Sequence, residues 1–299
     1  MEKDKRPKLI AVVGPTSSGK SALGVRLAKR FNGEVISADS RQIYRGLDIG
    51  TGKITRREMR GVPHHLLDIT TPRKQFSVTE YQKEATEIIK NILRRKKVPI
   101  LVGGTGFYID AVTRGVLFPN IPPNIKLRKR LAKQSPARLS AILKRLDKQR
   151  WKTIDLANPR RVIRAIELAK ALPHVPQLKT KVPYQVLYLA PHRTKAALLR
   201  RIRDAVRERI RRGLLRETKI LLKSSSKKHL CTLALGYRPA IETIRGTISR
   251  KELIERYVTL DWNYAKRQMT WFKRNKEINW IKGEREGERL VKKFLARKK

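Results

Sequence analysis

The chain has 299 residues, with 72 Lys and Arg against 25 Asp and Glu, a formal charge of +47; 40% of its residues are hydrophobic. That apolar share supports a core and excludes wholesale disorder, and the single cysteine, Cys231, excludes a disulfide framework or a Cys-rich zinc site. No run of about 18 uncharged apolar residues occurs and residues 1–6 lack an apolar leader pattern, so a soluble, cytoplasmic protein with no membrane partner is expected.

Residues 8–13, KLIAVV, are a short branched apolar run, the pattern of a parallel strand buried on both faces. The run enters Gly14-Pro15-Thr16-Ser17-Ser18-Gly19-Lys20-Ser21, and a helix is predicted through Leu23, Val25, Leu27 and Ala28, stopping near Asn32-Gly33. Residues 34–38 predict a second strand ending at Asp39-Ser40, and Ser77 is placed to cap a helix running through Tyr81, Ile88, Ile89 and Leu93. Residues 99–102, PILV, predict a further buried strand ending at Gly103-Gly104-Thr105-Gly106. This alternation indicates an α/β fold, a parallel sheet flanked by helices with its loops at the strand carboxyl ends.

The texture changes after Gly115. Residues 118–123, FPNIPP, read as a turn-rich linker, and Leu127, Leu131, Leu139, Ile142, Leu143 and Leu146 then recur at helical intervals. Asn158 stands as a cap before Pro159, opening a helix over 160–172, and Pro173, Pro176 and Pro183 close the segment before a strand at 185–189. Residues 119–185 hold 17 Lys and Arg against 3 Asp and Glu, 17 − 3 = +14. We read them as an all-helical insertion within one core made of 1–118 and 186–299. Thr194 caps a helix ending at Gly213; further helices are predicted over 215–222, 239–245 and 250–274, with a loop at 224–228 and a basic, solvated helix from Glu286.

A chain at +47 repels itself unless anions neutralise part of its charge, and a nucleic-acid backbone is the obvious polyanion. Thermal adaptation would raise acids and bases together, whereas acids are scarce here. An anionic membrane surface is the other candidate.

Gly14-x4-Gly19-Lys20-Ser21 fits the P-loop pattern and has the strand before and helix after that the pattern requires. Backbone N–H groups of such a loop converge on a phosphate at a helix N-terminus, Lys20 supplies a point charge, and Ser21 stands at the position of a Mg ligand. The motif says phosphate without saying which.

Four further segments narrow the choice: Asp39-Ser40-Arg41-Gln42-Ile43-Tyr44, Asp48-Ile49-Gly50-Thr51-Gly52-Lys53, Gly61-Val62-Pro63-His64-His65-Leu66-Leu67-Asp68 and Gly103-Gly104-Thr105-Gly106-Phe107-Tyr108. With Asn158-Pro159-Arg160-Arg161-Val162-Ile163-Arg164, Leu235-Gly236-Tyr237-Arg238 and Tyr264-Ala265-Lys266-Arg267-Gln268, the chain resembles the tRNA dimethylallyltransferases (tRNA isopentenyltransferases) over residues 9 to about 281. The resemblance implies a P-loop NTPase-like core that holds dimethylallyl diphosphate and Mg, and an insertion that clamps the anticodon stem-loop of a tRNA. It also implies transfer of a dimethylallyl group to the exocyclic amine of the adenosine 3′ to the anticodon, the base being flipped out. A monomer of bacterial type is expected, since the carboxyl-terminal zinc finger of eukaryotic relatives is missing.

The resemblance also implies residue roles. Asp39 takes the amine proton as general base, Thr105 donates to the oxygen bridging isoprenoid and diphosphate, and Lys20 stabilises the leaving charge. Gly14, Thr16, Ser17, Ser18, Gly19, Lys20 and Ser21 hold the diphosphate, with Ser21 on Mg. Asp39, Ser40, Arg41, Gln42, Thr105, Arg128, Arg160, Arg161, Val162, Ile163, Arg164, Lys266, Arg267 and Gln268 fall at tRNA-contacting positions, Gln42 reading the adenine edge. Tyr257, Tyr264, Met269, Trp271 and Phe272 are assigned to the core, and Cys231 to packing.

The chain departs from the family pattern at three places. Ala205 stands where an Arg that binds the diphosphate is usual, leaving Arg201, Arg203 or Arg209 to reach in from another turn. Asp261-Trp262-Asn263 replaces a usual Thr-Arg-Gln, and Arg41 a usual Met. Alternatives are an adenylate isopentenyltransferase acting on free nucleotides, a catalytically impaired RNA-binding relative, and, least favoured, a small-molecule kinase. The basic insertion argues against the first, and the retained Asp39, Thr105 and Lys20 against the second.

Overall fold

A computed structural model describes residues 4–172 and 175–297. Pro173 lies outside the described residues. The chain divides into two compact units, one of residues 1–115 with 182–299 and one of residues 116–181.

The first unit begins with β1 (Lys8–Val13), α1 (Lys20–Arg30), β2 (Gly33–Ser37), α2 (Arg56–Met59), β3 (His64–His65), α3 (Val78–Arg94), β4 (Val98–Gly103) and α4 (Gly106–Thr113). Ser77 caps α3 as predicted: its hydroxyl accepts from the Glu80 N–H at 3.2 Å, and the Glu80 carboxylate accepts from the Ser77 N–H at 2.8 Å.

The second unit holds β5 (Val116–Leu117), α5 (Ile125–Leu131), α6 (Pro136–Leu146), α7 (Lys148–Thr153), α8 (Pro159–Ala171) and β6 (Lys179–Thr180). Antiparallel pairing of Val116 with Thr180 and Leu117 with Lys179 draws both ends of the segment together. The unit therefore runs 116–181 where 119–185 was predicted, and it is helical apart from that short ladder. Leu131, Leu139, Leu143, Val162, Ile163 and Ile166 form its core.

The first unit resumes with β7 (Gln185–Pro191), α9 (Lys195–Arg211), α10 (Leu214–Leu222), α11 (Lys227–Leu233), α12 (Tyr237–Ile244), α13 (Arg250–Phe272), β8 (Asn279–Ile281) and α14 (Glu284–Ala296). The predicted loop at 224–228 is interrupted by α11, because the Ser226 hydroxyl accepts from the His229 N–H at 3.3 Å and starts a helix.

Among the described residues the sheet is six-stranded and parallel, in the order β3-β2-β4-β1-β7-β8. β1 lies inside it, pairing Val13 with Gly103 on one side and Val12 with Leu189 on the other. Alternation along β1 splits its side chains between two cores. Leu9, Ala11 and Val13 join one that includes Tyr81, Ile89 and Tyr108; Ile10 and Val12 join one that includes Leu23, Leu27 and Val291. A third core lies among α9–α13, where Leu198, Ile202, Val206 and Ile210 form the buried stripe of α9. No helix among the described residues is long and apolar enough to cross a membrane.

Candidate active site

The carboxyl ends of the central strands open into a cleft of about 440 Å³ within the first unit. β1 ends at Val13 and α1 begins at Lys20, so the intervening loop must reverse within six residues. Gly19 makes the last bend at φ +98°, a left-handed conformation that a side chain would strain. The Ser17 and Ser18 hydroxyls are buried in this loop without a hydrogen-bond partner. Such orphaned donors at a helix N-terminus suit an anion.

Lys20 lies in the cleft, its ammonium donating to the Pro15 carbonyl at 3.2 Å. Burial lowers its pKa from the usual lysine value, Asp39 opposes that shift and Arg209 adds to it. An incoming anion would favour the charged form. Asp39 follows β2, and its Oδ1 accepts the Arg41 N–H at 2.9 Å, which fixes the turn that presents the carboxylate to the cleft.

Thr105 opens α4 without capping it by its side chain, which excludes a simple capping role. Its Oγ1 instead accepts from the Ser40 N–H at 3.0 Å, tying the end of β4 to the Asp39 turn. Tyr264, assigned to the core from sequence, lines the cleft beside this turn. Burial, with the Asp39 charge adding to it, raises its hydroxyl well above the ordinary tyrosine range, so it stays a donor.

The cleft gathers Thr16, Ser17, Gly19, Lys20 and Ser21 from the loop, and Asp39, Arg41 and Gln42 from the end of β2. Arg267 and Gln268 join from α13, while Gly14, Ser18, Ser40 and Thr105 are not part of the lining. Lys266 is exposed on α13. Gln42 donates its amide to the Gly52 carbonyl at 3.2 Å, and Arg41 donates to the Thr232 carbonyl at 2.7 Å.

Several residues predicted to contact tRNA are engaged within the protein. Gln268 is buried, and both ends of its amide are occupied by backbone: Oε1 accepts the Thr16 N–H and Nε2 donates to the Gly104 carbonyl, each at 2.8 Å. Val162 and Ile163 are packed in the second unit's core, since helical spacing turns them opposite to Arg160 and Arg161. Arg128 and Arg164 both donate to the buried carboxylate of Glu167, Arg128 Nη2 at 2.7 Å. Arg160 and Arg161 are the exposed pair on that helix.

Helix α9 supplies residues that sequence left open. Arg201, Ala205 and Arg209, spaced four apart, all line the cleft, whereas Arg203 points away and is exposed. Arg201 Nε donates to the Ser17 carbonyl at 2.8 Å. Glu217 carried no sequence signal. Its carboxylate accepts the Asp48, Ile49 and Gly50 N–H groups at 2.8–3.0 Å and shapes the cleft wall at Gly50–Gly52.

With that geometry in place, the IPP transferase family model matches residues 42–275. The chain belongs to the IPP transferase family. It is 40% identical over 288 residues to the tRNA dimethylallyltransferase of Pelotomaculum thermopropionicum, covering 93% of this chain and 92% of that protein. Among solved structures of the family, the tRNA isopentenylpyrophosphate transferase of Bacillus halodurans is similar with a TM-score of 0.73 at 36% identity, covering 97% and 96% of the two chains. A eukaryotic dimethylallyltransferase acting on tRNA matches with a TM-score of 0.76 at 27% identity, over 89% of this chain and 70% of that one.

Proposed function

We propose that this IPP transferase moves a dimethylallyl group from dimethylallyl diphosphate to the exocyclic amine of the adenosine 3′ to the anticodon in a tRNA. The observation that carries the reading is the pairing, in one cleft, of a P-loop lysine with a carboxylate, Lys20 with Asp39, in a chain of this family. Cation and carboxylate match the two demands of the reaction: an anionic leaving group must be neutralised and an amine must lose a proton.

In this account the amine nitrogen attacks C1 of the isoprenoid as the C1–O bond breaks, and the electron pair leaves with the diphosphate. Asp39 accepts the amine proton. Thr105, which accepts from the Ser40 N–H and donates to the Ser40 hydroxyl at 3.4 Å, would have to turn its O–H from Ser40 to the oxygen between isoprenoid and diphosphate. The loop residues and Lys20 hold the diphosphate, and the orphaned hydroxyl of Ser17, which lines the cleft, supports an anion there.

Among the described residues no cluster of three or more His, Cys, Asp or Glu could hold a metal by itself. Ser21, exposed and lining the same cleft as Asp39, offers a hydroxyl oxygen that would hold a Mg ion. When bound, that ion would neutralise leaving-group charge.

Transfer to free AMP is the competing reading, and the 17 − 3 = +14 charge of residues 119–185 favours the polyanion. Labelled dimethylallyl diphosphate offered with Mg and either an unmodified anticodon stem-loop or AMP separates the two. Label on the RNA supports the proposal; label on AMP alone, or on neither, defeats it.

A further inference from the structure

Two departures from the family pattern, Ala205 on α9 and Asp261 on α13, meet at one side chain. Arg209, one helical turn beyond Ala205, donates Nη1 to Asp261 Oδ2 at 2.7 Å and to the Tyr257 hydroxyl at 2.9 Å. Its guanidinium also stands 5.4 Å from the centre of the Tyr257 ring. Tyr257 is anchored in turn, its hydroxyl donating to the Gly50 carbonyl at 3.0 Å.

On the other side of the fork, a Cβ placed on Gly52 would lie 2.7 Å from Nη2 and 3.1 Å from Nε, so only glycine lets the guanidinium lie against this wall. The arginine side chain is 13% exposed and that of Asp261 is 7% exposed. The donors Nε and Nη2 nevertheless have no protein acceptor, and both stay solvent-accessible where Arg209 lines the cleft. Two guanidinium donors are therefore left for an acceptor that the protein itself does not supply. Lys20 lies near enough for its charge and that of Arg209 to repel. Two cations held together with free donors suit a ligand carrying more than one negative charge. Burial works against the charge on Arg209, and Tyr257 and Asp261 more than offset it, so the arginine stays cationic.

We propose that Arg209, through Nε and Nη2, binds the diphosphate of the isoprenoid donor, with Asp261 as its positioning residue, so that the cation missing at Ala205 is supplied from the next turn of α9. This rests on the donor being a diphosphate, as in the function proposed above. Arg201 approaches from the preceding turn, but its Nε is already given to the Ser17 carbonyl. The proposal also explains why an acidic residue stands at 261. A buried arginine needs a fixed counter-charge, and an aspartate one helix away holds the fork at a set angle.

The test reads binding of inorganic pyrophosphate with Mg by calorimetry, and binding of an anticodon stem-loop by fluorescence anisotropy. It compares wild type with the double variant Arg209→Met/Asp261→Thr, which removes both buried charges together. Arg209→Gln/Asp261→Asn serves as a second, near-isosteric pair should the first fail to fold. Pyrophosphate affinity is expected to fall at least tenfold, the range of a charge-assisted hydrogen bond at about 1.5–3 kcal/mol, with RNA affinity within about twofold of wild type. Adding Ala205→Arg to the double variant should restore most of the loss. Wild-type pyrophosphate affinity in a folded double variant, or an equal fall in RNA affinity, would overturn the assignment. Wild-type protein that binds pyrophosphate but transfers nothing to RNA would instead sink the function, and the pyrophosphate comparison would still decide the role of Arg209.

Discussion

Gln268 on α13 joins the phosphate loop to the sheet: its amide oxygen accepts the Thr16 N–H at 2.8 Å, and its amide nitrogen donates to the Gly104 carbonyl at the same distance. The contact is close enough that a Cβ on Gly104 would fall 2.2 Å from Nε2. Gln268→Ala leaves a donor and an acceptor unpaired in a buried place, at a cost of roughly 2 kcal/mol or more. A lower melting temperature and a raised KM for dimethylallyl diphosphate, with unchanged RNA affinity, are expected. A variant melting and turning over like wild type would show that the bridge does not set the loop.

Asp39→Ala should lower the rate of transfer by on the order of 100-fold or more, because a positioned base contributes that much to proton removal. RNA affinity should hardly change. Single-turnover kinetics at saturating RNA and donor provide the measurement, and full turnover in the variant would remove Asp39 from the role of base.

The arginines of α8 divide by function. Arg160 and Arg161 are exposed, so replacing both with Gln should flatten the salt dependence of RNA binding by about one slope unit per lost phosphate contact. Arg164 is bound to Glu167, and Arg164→Gln should act first on stability. Affinities measured from about 50 to 200 mM salt separate the two, and an unchanged slope in the double variant would assign Arg160 and Arg161 to plain solvation.

Glu167 predicts a pH dependence. Burial alone would raise its carboxyl, yet hydrogen bonds from Arg128, Arg164 and the Asn124 N–H bring it from 4.5 down to about 2. A carboxyl lowered by folding stabilises fully above about pH 4.5, and that contribution is lost as the pH falls towards 2. At neutral pH it is on the order of 3 kcal/mol. Glu167→Gln should therefore melt well below wild type at pH 7, with the gap closing in acid. A gap that stays constant from pH 7 to 3 would contradict this.

Most of what positions the cleft could be read before any coordinate. Residues 8–13 announced β1 because a strand covered on both faces must be apolar throughout, and Ser77 and Thr194 announced their helices because caps act locally. β3 and β8 escaped notice, since edge strands of two and three residues carry no period long enough to see. Within the site, Lys20 and Asp39 stand in motifs. The motif arginines of α8 share a sequence signature, and only the fold reveals that Arg164 is consumed by Glu167. Tyr264 read as core because helical spacing cannot distinguish a side chain facing protein from one facing a cleft.

The short ladder of Val116–Leu117 on Lys179–Thr180 brings the two ends of the basic segment side by side. Closing the parent chain across that neck would take only a brief turn, so the segment can be lengthened, shortened or exchanged without unpicking a strand of the large sheet. Diversity in substrate handling among such proteins then has a natural home: evolution can rework the module beyond the neck while leaving the chemistry's framework alone.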